Sequence, residues 1–459
     1  MKSKKRQMFA ILLAGDFLLV SGCISKDTPE SETESYDLEM TVYLDPVSED
    51  LIKSGVGRFT QSTLLNIKWN LVDCTDMSSK EFRQKLEQDR KKGEGPDILF
   101  FNSFTCADPN LELRSGDLLD ITDFTEELQE SNGDYLTERM VEAASYEGKC
   151  YLQPICFQLP IFLGLQSVVE EVGFQPEAFS DIFGLLEETS RLMEGEIPMF
   201  DQPGVLEELV CRYSGISLID YDTGEMQLDS PEFQKLCEEY QKLYEWDHAV
   251  EERNPGYTAG YQALWNRKAV FTNSHQENVD YFASDLLAAN YQNSSVLLPV
   301  KGVGGEPVAV ITNSAGIWAE TEHPEEAIQF LDELRNFVSY SLYPGSMPAF
   351  PWWNWALFWA DASSIQPRYQ YSYPLDIYGI PMEPYDGDVY HRDYVETEYT
   401  GLITADNPAV FETDLIKKGG LLEQHMEPFF QGTESYEDCV QKLEDSLKEH
   451  ISYGKGQEK

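Results

Sequence analysis

The sequence predicts an α/β fold of more than one domain. Three features predict it: a strand–helix–strand–helix–strand alternation over residues 38–101, a later strand–helix pair over 308–338, and a length of 459 residues, more than one hydrophobic core holds. In the first stretch Leu38, Met40, Val42 and Leu44 alternate with the period of a strand. Val47, Leu51, Ile52, Val56 and Phe59 then recur at helical spacing, and Gly55 and Gly57 are expected to break or loosen that helix. Residues 67–72 read as a second strand. Ser78 with Glu81 forms a capping box ahead of a helix carrying Phe82 and Leu86, which Gly93-Glu94-Gly95-Pro96 ends. Residues 97–101 are almost continuously apolar, as a buried parallel strand would be, so the whole segment predicts βαβ units with right-handed crossovers.

Further on, Ser230-Pro231-Glu232 supplies an N-cap, a proline at the first helical position and an early acid. Phe233, Leu236, Cys237, Tyr240, Leu243 and Tyr244 follow on one face. Just before it, residues 220–226 read as a tight turn. Asp220, Asp222 and Gly224 make a partial calcium-loop pattern there that lacks the full ligand spacing and the terminal Glu. Residues 308–319 return to strand character, and Pro324 opens a helix with Ala327, Ile328, Leu331, Leu334 and Val338 inward. Ser435 caps a last helix with Tyr436, Val440, Leu443, Leu447 and Ile451 inward, and Gly454 is expected to stop it.

Lys and Arg number 34 against 81 Asp and Glu, a formal net charge of −47 that repels phosphate backbones and rules nucleic acid out as an expected partner. Lys2, Lys4, Lys5 and Arg6 precede an apolar stretch, residues 8–20, too short for an ordinary membrane-spanning helix and interrupted by Asp16. Leu19-Val20-Ser21-Gly22-Cys23 resembles a bacterial lipobox, which implies cleavage before Cys23 and lipid attachment at its sulfur. Residues 1–22 are then a signal peptide and 23–36 an acidic tether, holding the folded body at the extracytoplasmic face of the membrane by its lipid. The alternative is a generic secretory signal with an incidental Cys. Seven cysteines follow, an odd number with no C-x-x-C, so no metal site or cofactor is expected; Cys150 and Cys156 could pair, but isolated buried thiols are the plainer reading.

Four blocks in order resemble the family 1 extracellular solute-binding proteins of ABC importers, carbohydrate-type. They are residues 38–60; GEGPDILFFNS at 93–103 with SGDLLDITDF at 115–124; YEGKCYLQPICFQLPIFLGLQSVVEEVGF at 146–174; and ALWNRKAVFTN, LPVKGVGG and AGIWAETEHPEEAIQFLDEL between 263 and 334. The resemblance implies a periplasmic-binding-protein-like fold: two α/β lobes joined by a hinge, with the ligand closed between them. It places residues 37–155 plus 306–345 in one lobe and 156–305 plus 346–459 in the other. It implies capture of a small solute, a sugar or oligosaccharide, for delivery to ABC permease subunits by a monomer with no catalytic residues. The Trp-, Tyr- and Pro-rich stretch 346–400 departs from the family pattern and leaves the ligand's identity open.

Sugars present apolar C–H faces and a belt of hydroxyls, so aromatic platforms beside planar polar side chains are the groups to look for. Phe101, Asn102 and Ser103 leave the third strand, where turn chemistry is the other explanation. Gln153, Phe157 and Gln158 lie around the expected first crossing, which Pro154 and Pro160 bracket and where hinge packing competes. Trp352, Trp353 and Trp355, with Phe350 and Asn354, form the densest aromatic group, for which core packing is the alternative. Asn273, Ser274 and His275 follow an apolar strand; Asp45 follows the first strand, as a hydroxyl acceptor or as a cap of the next helix. Trp265 and Trp318 are weaker candidates, for which a core position is the commoner role.

A peptide or polyamine ligand is the alternative within the binding class, since an acidic surface and aromatic cages both attract cations. A surface carbohydrate-active enzyme is the alternative outside it; no H-E-x-x-H, G-x-S-x-G or Walker motif is present, and carboxylate pairs carry no information among 81 acids. Replacing Trp352 or Trp353 by Ala is expected to weaken carbohydrate binding by about 1–3 kcal/mol in titration calorimetry. Lowered stability with unchanged affinity in both variants would assign them to the core instead.

Overall fold

The computed structural model describes residues 36–132, 138–176, 179–193, 195, 197–249, 261–272, 295–338, 347–348, 402 and 405–455. β1 (Leu38–Leu44) leads through helix α1 (Glu49–Ser62) to β2 (Ile67–Asp73), and helix α2 (Ser79–Lys92) returns the chain to β3 (Ile98–Phe101). β2 and β3 both run parallel to β1 and flank it on opposite sides. The winding therefore reverses at β1, and the loops leaving β1 and β3 part at their carboxyl ends. That is a topological switch point, where open α/β sheets place their ligands.

The capping box forms as expected. The Glu81 N–H donates to Ser78 Oγ (3.3 Å), the Ser78 N–H donates to Glu81 Oε2 (2.9 Å), and Gly93 ends the helix at φ 74°. α1 corrects the sequence expectation, because it runs unbroken through Gly55 and Gly57. Gly55 faces the helix Pro324–Val338, where a Cβ would stand 2.9 Å from Leu334 Cδ1 and 3.3 Å from Phe330 Cζ. Close helix approach, not chain bending, uses this glycine. Phe330, fully buried, is the centre of that contact, with the Phe59 ring edge-on at 5.7 Å.

The strand pair β4 (Ser145–Tyr146) and β5 (Lys149–Cys150) precedes β6 (Gln153–Gln158), and β7 (Ile161–Leu165) follows it at once. After the small hairpin β8 (Ile219–Asp220) and β9 (Glu225–Met226) come β10 (Phe271–Thr272), β11 (Ser295–Pro299), β12 (Ala309–Ile317), β13 (Met347–Pro348) and β14 (Ala409–Phe411). The larger sheet has the order β13-β6-β12-β3-β1-β2, with β14 beside β12; β12 runs antiparallel to both β3 and β6. The smaller sheet is β10-β7-β11. The chain thus passes from the large sheet to the small one between Gln158 and Ile161, and back between Pro299 and Ala309. One hydrophobic core, including Met40, Val42, Phe100 and Phe330, packs around the large sheet; another, including Phe162, Phe233, Tyr240 and Phe271, packs around the small one.

Elsewhere the structure refines the expectations. The partial calcium pattern is the β8–β9 turn: Asp220 Oδ1 accepts the N–H groups of Asp222 (2.9 Å) and Thr223 (3.1 Å), and Gly224 has φ 74°. Asp222 itself meets Arg114 at 2.8 Å, and Tyr221 Oη donates to Asp108 Oδ2 at 2.7 Å, so the hairpin is tied to the segment after β3. The last helix, Tyr436–Lys455, begins on the Ser435 cap but runs through Gly454, which does not stop it. Trp318 is buried, whereas Trp265 is 48% exposed and is not a core residue. The side chains of Val338 and Ile451 lie outside the described residues. Cys150, Cys156 and the other five described cysteines are buried, and no disulfide joins them to one another. No helix among the described residues is long and apolar enough to cross a membrane.

A buried acid organises the second core. The helix Val205–Arg212 starts at Gly204, which has no side chain to cap it. Asp247 does so from a distance, accepting the N–H groups of Leu206 (3.1 Å) and Glu207 (3.2 Å) and the hydroxyl of Tyr240 (3.2 Å). Burial pushes its carboxyl up to about 6, although those donors and nearby His248 pull it down. His248, 2.8 Å from Glu207, is raised above its ordinary value by that hydrogen bond. Both groups hold protons more tightly folded than unfolded. Asp247's contribution is full below its unfolded value of 3.8 and is lost as pH rises through about 6; that of His248 is full below 6.5 and lost as pH rises through its higher folded value. We expect the melting temperature to rise as pH falls from 8 toward 5, and Asp247→Asn to flatten that slope. An unchanged slope in the variant would remove Asp247 as its source.

Candidate functional site

At the switch point the two loops are joined by buried polar side chains. Asp45 follows β1 at the turn into α1. Its Oδ1 accepts the N–H groups of Val47 and Ser48, both at 2.9 Å, and the amide of Asn102 at 3.2 Å. Asn102 follows β3. Its Nδ2 also donates to Ser48 Oγ (2.9 Å), and its Oδ1 accepts the N–H groups of Phe104 (2.9 Å) and Thr105 (3.2 Å). Thr105 Oγ1 in turn donates to the Phe100 carbonyl (2.6 Å) and accepts the Asn102 N–H (3.0 Å), which closes the β3 turn. Asn313, from the middle of β12, donates to Ser48 Oγ at 3.1 Å. Asp45 and Asn102 both perform turn chemistry, and their contact with each other and with Ser48 links the two loops.

Asp45 has no solvent exposure, and Asn102 and Asn313 have 2% each. Burial raises the Asp45 carboxyl above the usual range, while the N–H groups of Ser48 and Val47 and the side chains of Asn102 and Ser48 oppose the shift. Several buried polar atoms around this point have no hydrogen-bond partner among the described residues: Asp45 Oδ2, Asn313 Oδ1, Ser314 Oγ and, on β6, Gln153 Nε2. Native interiors pair most such atoms, so a concentration of unpaired ones marks a place kept for something other than stability. The cavity beneath, between β1, β3 and α2, measures about 20 Å³ and is lined by Tyr43, Asp45, Phe82, Phe101, Cys106 and others. It would take one water and is far too small for a sugar, since small-molecule sites run to roughly 300–1,000 Å³.

The remaining sequence candidates scatter. Phe101 and Phe157 are both 3% exposed and belong to the first core, Phe157 between Ile311 of β12 and Met347 of β13. Ser103 is half-buried, and its carbonyl accepts Arg83 Nη2 (3.1 Å) while that guanidinium pairs with Asp414 at 2.7 Å. Gln158, also half-buried, accepts the Tyr213 hydroxyl at 3.4 Å. Asn273, Ser274, His275, Phe350, Trp352, Trp353, Asn354 and Trp355 lie outside the described residues, as does Cys23. The structure adds Ser48, Thr105, Asn313 and Ser314. The last two had a signal in the sequence: they are polar interruptions of an otherwise apolar strand, VAVITNSAGI.

Among the described residues no group of three or more His, Cys, Asp or Glu side chains is arranged to hold a metal ion. The site's groups are amides, hydroxyls and one carboxylate met by N–H groups. Such a set donates and accepts hydrogen bonds in fixed directions.

No sequence-family model and no curated protein matches the chain. Solved structures do. The sugar-binding protein MalE from the phytopathogen Xanthomonas citri has a TM-score of 0.56 at 10% identity, covering 90% of this chain and 97% of its own. An ABC substrate-binding protein from Listeria monocytogenes in complex with cycloalternan has a TM-score of 0.52 at 15% identity, covering 90% and 99%. The GacH receptor of Streptomyces glaucescens, determined unliganded and with acarbose, has a TM-score of 0.50 at 12% identity, covering 90% and 98%. The fold of this chain is periplasmic-binding-protein-like, and these neighbours are binding proteins rather than enzymes.

Asn102→Ala removes both halves of the loop link and leaves the Phe104 and Thr105 N–H groups unmet. We expect it to lower stability by about 1–3 kcal/mol in urea denaturation. A loss within error would show that the link is not formed in solution.

Proposed function

We propose that this chain captures a neutral oligosaccharide outside the cytoplasmic membrane and passes it, unconverted, to the permease of an ABC importer. The observation that carries the reading is the joined polar cluster of Asp45, Ser48, Asn102 and Asn313 at the switch point of a fold shared with sugar-binding proteins. Amides and hydroxyls match the hydroxyl belt of a sugar. A neutral guest suits the cluster better than a cation: one oxygen of Asp45 already accepts two N–H groups and an amide, and burial disfavours its charge.

The rest of the proposal extends from the sequence. Residues 1–22 direct export, Cys23 carries the lipid, and residues 23–36 tether a monomeric body to the extracytoplasmic face. We assign residues 37–155 plus 306–345 to one lobe and 156–305 plus 346–459 to the other; the passages between the sheets at 158–161 and 299–309 lie near two of these bounds, whereas β13 and β14 pair within the large sheet and do not follow the last one. Ligand closes between the lobes against the polar cluster, with Trp352, Trp353 and Trp355 as stacking surfaces and Asn273 and His275 as further contacts.

Thermal-shift screening tests this directly, because a ligand that binds only the folded state raises the melting temperature by mass action. Neutral oligosaccharides are expected to raise it, to saturate in calorimetry and to be recovered unchanged. Stabilisation by polyamines or peptides alone would replace the ligand class, and appearance of shortened sugars would make the chain an enzyme.

A further inference from the structure

The seam in β12 is the feature the ligand reading does not explain. Along one edge β12 changes partner. Ala309, Val310 and Ile311 pair with β14 in parallel, whereas Ser314 to Ile317 pair with β3 antiparallel. Thr312 and Asn313 fall between, with no ladder partner on that edge. On the other edge the register against β6 shifts on both sides of Asn313, between Ile311 and Asn313 and again between Asn313 and Ser314. Irregularities of this kind re-aim a side chain. Here the re-aimed side chain is a buried amide whose Nδ2 reaches Ser48 Oγ, the same oxygen that accepts Asn102. Its Oδ1 has no donor. An apolar residue of similar volume would fill such a position without leaving an acceptor unmet, so packing alone does not account for the amide.

We propose that Asn313 is a positioning residue of the ligand site: from the β12 seam it holds Ser48, and through Ser48 the Asp45–Asn102 link, in register with a strand that comes from the passage between the two sheets. The inference rests on the reading that the switch-point loops hold ligand. Its content is that the geometry of the binding loops is set by the strand on which the two sheets are joined. A change in the path of β12 then alters the Ser48 contact, and binding and strand geometry are coupled through one hydrogen bond.

Three proteins test it: Asn313→Val, which keeps volume and removes the amide; Asn313→Ser, a milder truncation in case the valine variant does not fold; and Ser48→Ala. Each is measured in the full chain, with an oligosaccharide that the wild type binds in calorimetry. The expected result is a loss of affinity of about tenfold in each single variant, with the melting temperature held within a few degrees. The Asn313→Val/Ser48→Ala double variant is expected to lose no more than the weaker-binding single one, because both act through the same contact. Wild-type affinity in the Asn313 variants, or losses that add in the double variant, would overturn the proposal. If the wild type binds no carbohydrate, the functional reading fails, and positioning is read without ligand from hydrogen exchange of residues 45–48 and 102–105. Faster exchange in the Asn313 variants upholds the coupling, and unchanged exchange overturns it.

Discussion

A carboxylate buried at the end of β1 must be satisfied, and the way Asp45 is satisfied organises the surrounding loops. It is met by N–H groups and an amide rather than a cation, so the turn into α1 has to curl around it, and Asn102 has to come across from β3. Asn102 can do so only because its other end closes its own turn onto Phe104 and Thr105. Two loops that diverge at a topological switch point are thereby held together at their bases.

The same economy of polar contacts appears in the second core. Gly204 begins a helix without a side-chain cap, and Asp247 supplies one from a distant segment. In both places a buried acid serves helix or turn N–H groups, and in both burial raises its pKa. The difference lies in what surrounds them. Asp247 is paired through both oxygens, whereas Asp45 keeps one oxygen unmet, with other unmet polar atoms on the adjoining strands. The two acids thus differ in how completely their hydrogen-bonding capacity is used within the described residues.

Much of the local architecture was legible beforehand because its causes are local. The Ser78–Glu81 box, the Ser230-Pro231 helix start and the apolar run of β3 are determined by neighbours a few residues apart, and all three form as read. Gly55 and Gly454 were misread for a common reason. A glycine's local effect is to weaken a helix, but Gly55 is decided by Phe330 and Leu334, far along the chain. Gly454 sits in a last turn that runs on to Lys455. Asp45 and Asn102 were identified as loop residues of interest; Ser48 and Asn313 were passed over, because nothing nearby in the chain indicates that they share a hydrogen bond.

From its residues alone, the chain determined a parallel βαβ start, its helix caps and a strongly negative net charge, since propensity, capping and net charge act over short spans or by simple summation. Tertiary structure alone decided which polar side chains meet. Asn102 reaches Asp45 and Ser48, and Asn313 reaches Ser48, only after β3 has crossed to the far side of β1 and β12 has come in antiparallel beside it. Hydrogen bonds are directional and reach about 3 Å, so a pairing across hundreds of residues exists only once the sheet order has placed its partners side by side.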